Sequence, residues 1–308
     1  MKIMVMGSGG VGAYYGGLLA KQGNDVIFVA RGAHLQVLRE KGLQVKSIHG
    51  DFDIVPAKAV ENPADAGIVD LILFCVKTYN TDDAAKAIQP VVGPQTVVVS
   101  LQNGIDAAER LGKYVSVEHI LGGVTYISSA IEAPGVVKQM SQFRRIVVGE
   151  LGGGVSPRVE KIVEMFRPTG ITIEATEDIQ KILWTKYVFI SSASGLGSLT
   201  RLPMGEYRAV PETRAMILGL MKEVESVAQA LGIALDPDVV EKSIKFMDDA
   251  APHIKASMQL DVEMGRKTEL EAMISAIGHK GREAGVPTPI ADFIYAALLP
   301  IELKARAS

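Results

Sequence analysis

Short apolar runs separated by glycine turns dominate the first half of the chain. Residues 3–6 are apolar up to Gly7, residues 13–21 have a helical pattern closed by Gly23, and residues 26–29 are apolar again. This order of strand, glycine turn, helix and strand predicts the βαβ unit that opens a parallel sheet. The runs at 71–76 and 97–101 lack alternation, which is typical of central strands covered on both faces. We therefore predict a doubly wound parallel sheet.

Two further segments extend this first domain. Residues 42–56 alternate around Gly50-Asp51 and predict a hairpin-like insertion, and residues 122–150 are strand-like. A helix is expected over 157–166, with Ser156 as its N-cap. The prediction is a Rossmann-type domain over residues 1–168.

The pattern changes to helical spacing in the second half. Residues 211–231, for example, carry apolar side chains at helical intervals and end at Gly232. Residues 169–308 are therefore expected to form a mostly α-helical substrate and catalytic domain. Together the two halves predict an α/β protein of the 6-phosphogluconate-dehydrogenase-like type.

Composition narrows the functional class. The chain has 308 residues, 48% of them hydrophobic and 22% charged, as expected of a globular protein. A net charge of -3 and the lack of a long basic run argue against nucleic acid as a partner. No apolar run reaches the roughly 20 residues that span a bilayer, so no membrane association is expected. The N-terminal residues reach a glycine loop too early for a signal peptide, which favours the cytoplasm.

Cysteine and histidine usage gives no further chemistry. The single cysteine, Cys75, lies in an apolar run and is interpreted as a core thiol rather than a nucleophile. The five histidines show no metal-ligand spacing, so no metal is predicted.

A glycine-rich loop follows the first predicted strand and opens the first helix. Its glycines fit G-x-G-x-x-G and would supply a tight turn, a close approach of the backbone to a pyrophosphate and close helix packing. The alternative is a plain turn, but the position between strand and helix favours a dinucleotide site. The predicted cofactor-binding residues of this loop are Gly7, Ser8, Gly9, Gly10, Val11 and Gly12.

The end of the second strand indicates which dinucleotide binds. Enzymes that use NAD place a carboxylate there, whereas this chain has Arg31 after Val29-Ala30. A guanidinium suits a 2′-phosphate, so NADP is predicted; a solvated surface arginine is the alternative. Lys77 and Asn103 follow two other central strands, where ligands bind in open sheets. Both are candidate cofactor contacts, and Asn103 could instead contact substrate or simply form an Asn-Gly turn.

With these motifs the chain resembles the ketopantoate reductases, also called 2-dehydropantoate 2-reductases, over nearly its whole length. That family reduces ketopantoate, a small 2-oxo acid, to pantoate with NADPH, in the synthesis of pantothenate and coenzyme A. The motifs that follow the family's order are the glycine loop, Val76-Lys77-Thr78, Gln102-Asn103-Gly104, Leu183-Trp184-Thr185-Lys186 and Gly265-Arg266-Lys267-Thr268-Glu269.

The resemblance also implies roles for single residues. Lys186 would be the general acid and Glu269 would hold the substrate hydroxyl, while a snorkelling surface lysine and a solvated first-turn carboxylate are the alternatives. Asn103, Ser194 and Ser257 complete the implied substrate site. Asp261 is interpreted as a surface or structural charge. Thr268 and Glu271 fit a capping box that would place Glu269 in the first turn of a helix.

The chain departs from the family pattern at three positions. Well-characterised members carry asparagines where this chain has Ile190, Ser194 and Ile254. Fewer hydrogen-bonding groups change what a pocket recognises, so the identity of the 2-oxo acid is open.

Three functional hypotheses follow: ketopantoate reductase, a reductase of a different and less polar 2-oxo acid, and a non-catalytic NADP(H)-binding sensor. The presence of both Lys186 and Glu269 argues against the sensor. A homodimer is expected only by analogy with related dehydrogenases, because no apolar stripe over residues 178–308 predicts one.

Overall fold

The computed structural model describes residues 1–307, which form two compact units. The first comprises residues 1–102 and 107–179, and the second comprises residues 103–106 and 180–307. The division falls after residue 179 rather than after 168, because the strand at Thr172–Ala175 pairs with the sheet of the first unit. It also assigns the short segment after Gln102 to the helical unit.

A single ten-stranded sheet forms the centre of the first unit. Its spatial order is 4-3-9-8-7-6-1-2-5, and strand 10 pairs with strand 9. All pairs are parallel except 3 with 4 and 8 with 9. The strands are β1 (Lys2–Met6), β2 (Asp25–Val29), β3 (Leu43–Ser47), β4 (Phe52–Ile54), β5 (Lys58–Val60), β6 (Val69–Phe74), β7 (Val92–Ser100), β8 (Ile120–Ala133), β9 (Val136–Glu150) and β10 (Thr172–Ala175).

Alternate residues of the central strand β1 enter two separate cores. Ile3 and Val5 pack into the core on one face of the sheet, whereas Met4 and Met6 pack into the core on the other. Because both faces are covered, the central strands contain no polar alternation, which confirms the doubly wound prediction. The helices of this unit are α1 (Gly10–Lys21), α2 (Gly32–Lys41), α3 (Thr81–Ile88), α4 (Ala107–Leu111) and α5 (Pro157–Phe166).

Local expectations in this unit are largely confirmed. The Ser156 hydroxyl accepts the N–H of Val159 and caps α5 as predicted. Strands β3 and β4 form the expected antiparallel pair, but β3 also pairs with β9 and so belongs to the main sheet rather than to an insertion.

The second unit is helical around one apolar core, as predicted. Its largest buried side chains include Trp184, Tyr187 and Tyr207. Along the chain its elements are α6 (Ile179–Thr200), α7 (Met204–Tyr207), α8 (Pro211–Ala230), α9 (Val239–Asp249), α10 (Ser257–Glu263), a π-helical turn (Glu271–Ser275), α11 (Ala276–Ala284) and α12 (Pro289–Ala307). Among the described helices, none is both long and apolar enough to cross a bilayer.

The capping-box prediction at Thr268 is wrong. Instead of pairing with Glu271, Thr268 donates both its N–H and its hydroxyl to Oε2 of Glu302 on α12, at 2.9 and 2.6 Å. Glu271 accepts from the Tyr295 hydroxyl at 3.2 Å. The helical segment begins at Leu270, and the Glu269 carbonyl accepts the N–H of Met273, so Glu269 is the N-cap residue of that segment rather than a residue of its first turn.

Candidate active site

The glycine loop connects β1 directly to α1, and packing requires three of its glycines: Gly7, Gly12 and Gly10, where a Cβ would lie 2.4 Å from the carbonyl oxygen of Ser129. Gly7 has φ +97°, and a Cβ there would lie 2.7 Å from the backbone nitrogen of Val76. A Cβ on Gly12 would lie 2.3 Å from the carbonyl oxygen of Gly7. These distances are too short for any side chain, so glycine is needed for the turn and for the close approach of α1.

Gly9 is different, because protein packing does not require it. Its φ of -77° suits any residue, and a Cβ there would meet no atom within 4 Å. Ser8 beside it is 5% exposed, and within the described chain its hydroxyl has no hydrogen-bond partner. The first amides of a helix also lack partners inside the helix. Open space, unpaired donors and a helix N-terminus together fit the pyrophosphate of a dinucleotide.

Arg31 lies immediately after β2 with its side chain exposed, in the position predicted for it. No carboxylate occupies the corner from Val29 to Gly32, where α2 begins. The guanidinium is therefore accessible to an anionic group.

His34 is a residue near the loop that sequence reasoning missed. Its Nδ1 accepts the N–H of Gly135, in the turn between β8 and β9, at 3.0 Å. Burial lowers the pKa of His34, and a contact with the backbone of Ser8 opposes that shift. The imidazole therefore connects α2 to the β8–β9 turn, a contact between distant segments that no local pattern reveals.

Lys77 follows β6 and precedes a short 3-10 turn at Thr78–Asn80. Gln102, at the end of β7, fixes this turn by donating from its side-chain amide to the Val76 carbonyl at 2.9 Å and to the Thr81 hydroxyl at 2.8 Å.

Cys75 packs against the apolar core, and burial raises the pKa of its thiol to about 12. The thiol is protonated at neutral pH, as expected of a structural cysteine.

Lys186 and Asn103 are in direct contact in the helical unit. Nζ of Lys186, on α6, donates to Oδ1 of Asn103 at 2.8 Å. Trp184 and Tyr187 flank the lysine on the same helix and are 4% and 1% exposed. Burial lowers the pKa of Lys186 to about 8, while the charge of Glu269 acts in the opposite direction. A lysine with this pKa can hold a proton at neutral pH and release it readily.

Glu269 lies in the same region as Lys186, next to a turn at Asn103-Gly104 that requires glycine. Gly104 has φ +90°, and a Cβ there would lie 3.2 Å from the Cβ of Ala272, so the Asn103-Gly104 turn packs against the segment after Glu269. The Glu269 side chain is almost completely buried, at 5% exposure. The structure thus assembles Lys186, Asn103 and Glu269, three residues far apart in the sequence.

The remaining predicted residues occupy different environments. Ser194 is buried on α6, and Ser257 is exposed as the first residue of α10. Ile190 packs against the helical core, and Ile254 is 39% exposed in the loop before α10.

Asp261 forms an ion pair with Arg266 at 3.8 Å, in line with a structural charge. Within residues 1–307, no group of three or more acidic, cysteine or histidine side chains could hold a metal ion.

Comparison with known proteins defines the class of this site. The family described as "Ketopantoate reductase PanE/ApbA" matches residues 3–153, and "Ketopantoate reductase PanE/ApbA C terminal" matches residues 178–302. The protein is an oxidoreductase with a nicotinamide-dinucleotide fold of the 6-phosphogluconate-dehydrogenase-like type. More specifically, the chain belongs to the ketopantoate reductase family, which acts on small 2-oxo acids.

Individual relatives differ in what their names report. An uncharacterized oxidoreductase of Bacillus subtilis, YkpB, is 30% identical over 99% of this chain and 100% of its own. The crystal structure of a ketopantoate reductase from Ralstonia eutropha superposes with a TM-score of 0.92 at 28% identity, covering 99% of this chain and 100% of that one. A D-mandelate dehydrogenase with NADH and anilino(oxo)acetate has a TM-score of 0.91 at 26% identity and covers 99% of each chain.

The open space at Gly9 leads to a prediction about dinucleotide binding. We expect Gly9→Ala to weaken NADPH binding by about tenfold or more, because the methyl group would occupy the space into which the pyrophosphate must approach. The stability to urea should change by no more than about 1 kcal/mol, since the methyl group meets no protein atom. The measurements are a fluorescence titration with NADPH and urea unfolding.

Gly152→Ala is the matched control for this experiment, because a Cβ at Gly152 also meets no atom within 4 Å but lies in the turn after β9. It should bind NADPH as tightly as the unmodified protein. Equal NADPH affinities for the two variants would contradict the assignment of the space at Gly9 to the cofactor.

Proposed function

We propose that the protein reduces 2-dehydropantoate (ketopantoate) to pantoate with NADPH, the step that leads to pantothenate and coenzyme A. The observation that carries this proposal is the contact of Lys186 with Asn103 in the buried region that also contains Glu269. Family membership supplies the reaction class, and the three side chains supply groups suited to it. A buried lysine with a lowered pKa at this place also favours an enzyme over a nucleotide-binding sensor.

Lys186 would act on the oxygen of the substrate carbonyl. When bound, NADPH supplies the hydride for reduction, and negative charge then develops on that oxygen. The Lys186 ammonium stabilises this charge and donates a proton, so that the product is a 2-hydroxy acid. Asn103 accepts one of the three N–H groups through Oδ1, which fixes the direction of Nζ. Deprotonated Lys186 regains its proton from water.

Glu269 would accept a hydrogen bond from the substrate hydroxyl, and its negative charge keeps Lys186 more protonated than burial alone would allow. Ser257 and Ser194 are the proposed further substrate contacts, with Ser257 on the carboxylate. NADPH would be held by the glycine loop from Gly7 to Gly12, by Arg31 and by Lys77, with Asn103 available to either ligand.

Turnover of ketopantoate tests the proposal directly. Purified protein should oxidise NADPH in the presence of ketopantoate, measured by loss of absorbance of the reduced nicotinamide. Lys186→Ala should lower kcat by about a hundredfold or more, the range that a general acid contributes. Lys181→Ala is the matched control, because Lys181 is on the same helix but pairs with Asp236 at 2.5 Å; it should retain activity.

Substrate outcomes separate the alternatives. Nucleotide binding without NADPH oxidation on any 2-oxo acid would refute the catalytic proposal and leave a sensor. Activity on other 2-oxo acids but not on ketopantoate would refute the substrate assignment alone. A less polar substrate is the second candidate, favoured by Ile190 and Ile254 and by the likeness to D-mandelate dehydrogenase. The substrate panel should therefore include an aromatic 2-oxo acid such as phenylglyoxylate.

Cofactor preference is tested separately at Arg31. Arg31→Ala should raise the Kd for NADPH by about tenfold to a hundredfold, the loss expected when a charged hydrogen bond to phosphate is removed. The Kd for NADH should change little, because NADH has no 2′-phosphate. Arg39→Ala, an exposed arginine further along α2, serves as the control and should affect neither Kd. Equal weakening of both cofactors by Arg31→Ala would remove the case for NADPH.

A further inference from the structure

Glu269 lies in a short segment, residues 268–273, that is fixed by side chains from two other helices. One contact is made just before Glu269 and the other just after it. The two residues that make these contacts, Glu302 and Tyr187, lie outside the sequence motifs that identify the active site; of the residues they contact, only Thr268 belongs to such a motif. The arrangement therefore suggests a function for residues outside those motifs.

Glu302 makes the contact before Glu269. It is 1% exposed although it lies near the C-terminal end of α12. Oε2 accepts the N–H and hydroxyl of Thr268, and Oε1 accepts Nε of Arg306 at 2.7 Å. A buried carboxylate is costly unless it is paired and hydrogen-bonded; Arg306 pairs with Glu302, and the two bonds from Thr268 hold that residue to α12.

Tyr187 makes the contact after Glu269. It is the residue next to Lys186 on α6, is 1% exposed, and donates from its hydroxyl to the carbonyls of Ala272 and Met273, at 2.8 and 3.0 Å respectively. Both carbonyls belong to the π-helical turn Glu271–Ser275. Such turns depart from the regular hydrogen-bond ladder of the helix and often occur at functional sites.

We propose that Tyr187 and Glu302 are positioning residues that together fix the Glu269 carboxylate relative to Lys186. The proposal rests on the roles of Lys186 and Glu269 put forward above. Thr268 at one end of the segment, and Ala272 and Met273 at the other, are hydrogen-bonded to a buried side chain. With both ends held, the backbone at Glu269 cannot move away from the lysine without breaking buried hydrogen bonds.

This arrangement has two measurable consequences. Glu269 would contact the substrate, so a displaced carboxylate raises KM for the 2-oxo acid more than it lowers kcat. Glu269 also raises the pKa of Lys186, so its displacement should lower that pKa. Asp106, the charged side chain that acts on the Tyr187 phenol, is retained in every variant of the test.

The test compares Tyr187→Phe and Glu302→Gln with two matched controls. Tyr207→Phe removes the hydroxyl of another buried tyrosine of the same unit, which contacts the Ala193 carbonyl at 3.5 Å. Glu223→Gln alters a carboxylate that accepts the N–H groups of Ile290 and Ala291 at the start of α12. Steady-state kinetics with NADPH and the 2-oxo acid are measured for all four variants from about pH 6 to pH 10.

Both test variants should raise KM for the 2-oxo acid by about tenfold, the effect of a lost hydrogen bond, and leave the Kd for NADPH unchanged. Activity in the reductive direction falls as pH rises through the pKa of Lys186, and this fall should move to lower pH in both variants. The controls should show the KM and pH profile of the unmodified protein.

A KM and pH profile unchanged in Tyr187→Phe and Glu302→Gln would overturn the inference, and so would equal changes in the controls. If Tyr187→Phe fails to fold, Glu302→Gln carries the test alone. Failure of the proposed function is distinguishable, because either the unmodified protein would then oxidise NADPH with no 2-oxo acid, or Lys186→Ala would turn over substrate as well as the unmodified protein, whatever the positioning variants do.

Discussion

Removal of the Lys186 ammonium from water is the constraint around which the helical unit is organised. A buried cation is unfavourable unless protein groups replace its hydration, and burial accordingly lowers the pKa of Lys186 to about 8. The Asn103 carbonyl replaces part of that hydration, and Glu269 supplies an opposing charge. Without the charge of Glu269, the pKa of Lys186 would be lower still, and the lysine would be neutral over more of the physiological pH range.

A different constraint, the steric one, shapes the glycine loop in the first unit. At Gly7 and Gly12 the neighbouring backbone leaves no space for a side chain, whereas at Gly9 the surrounding space is open. The same motif therefore contains glycines needed for packing and one, Gly9, that packing does not require. This distinction is physical evidence for a dinucleotide that the motif alone does not provide.

The features that follow local rules could be predicted from sequence. The order of strands and helices, the sheet covered on both faces and the Ser156 cap all depend on residues close together in the chain. The capping box failed because Glu302, 34 residues beyond Thr268, takes the N–H that Glu271 would have accepted. The Lys186–Asn103 contact spans 83 residues and Tyr187 reaches carbonyls 85 and 86 residues away, so no periodicity could indicate either. The resemblance to a family supplied Lys186 and Glu269, but not the side chains of Tyr187 and Glu302 that are hydrogen-bonded to the segment containing Glu269.

The pKa of Lys186 is the property that the buried site affects most directly. A fully hydrated lysine would need neither the hydrogen bond to Asn103 nor the charge of Glu269 to stabilise its ammonium group. The most direct measurement is the titration of Nζ of Lys186 by nitrogen NMR in the intact protein, assigned by comparison with Lys186→Ala. We predict a pKa of about 8, with the proton donor lost as pH rises through that value. A pKa at or above about 10, the ordinary value for lysine, would contradict the account.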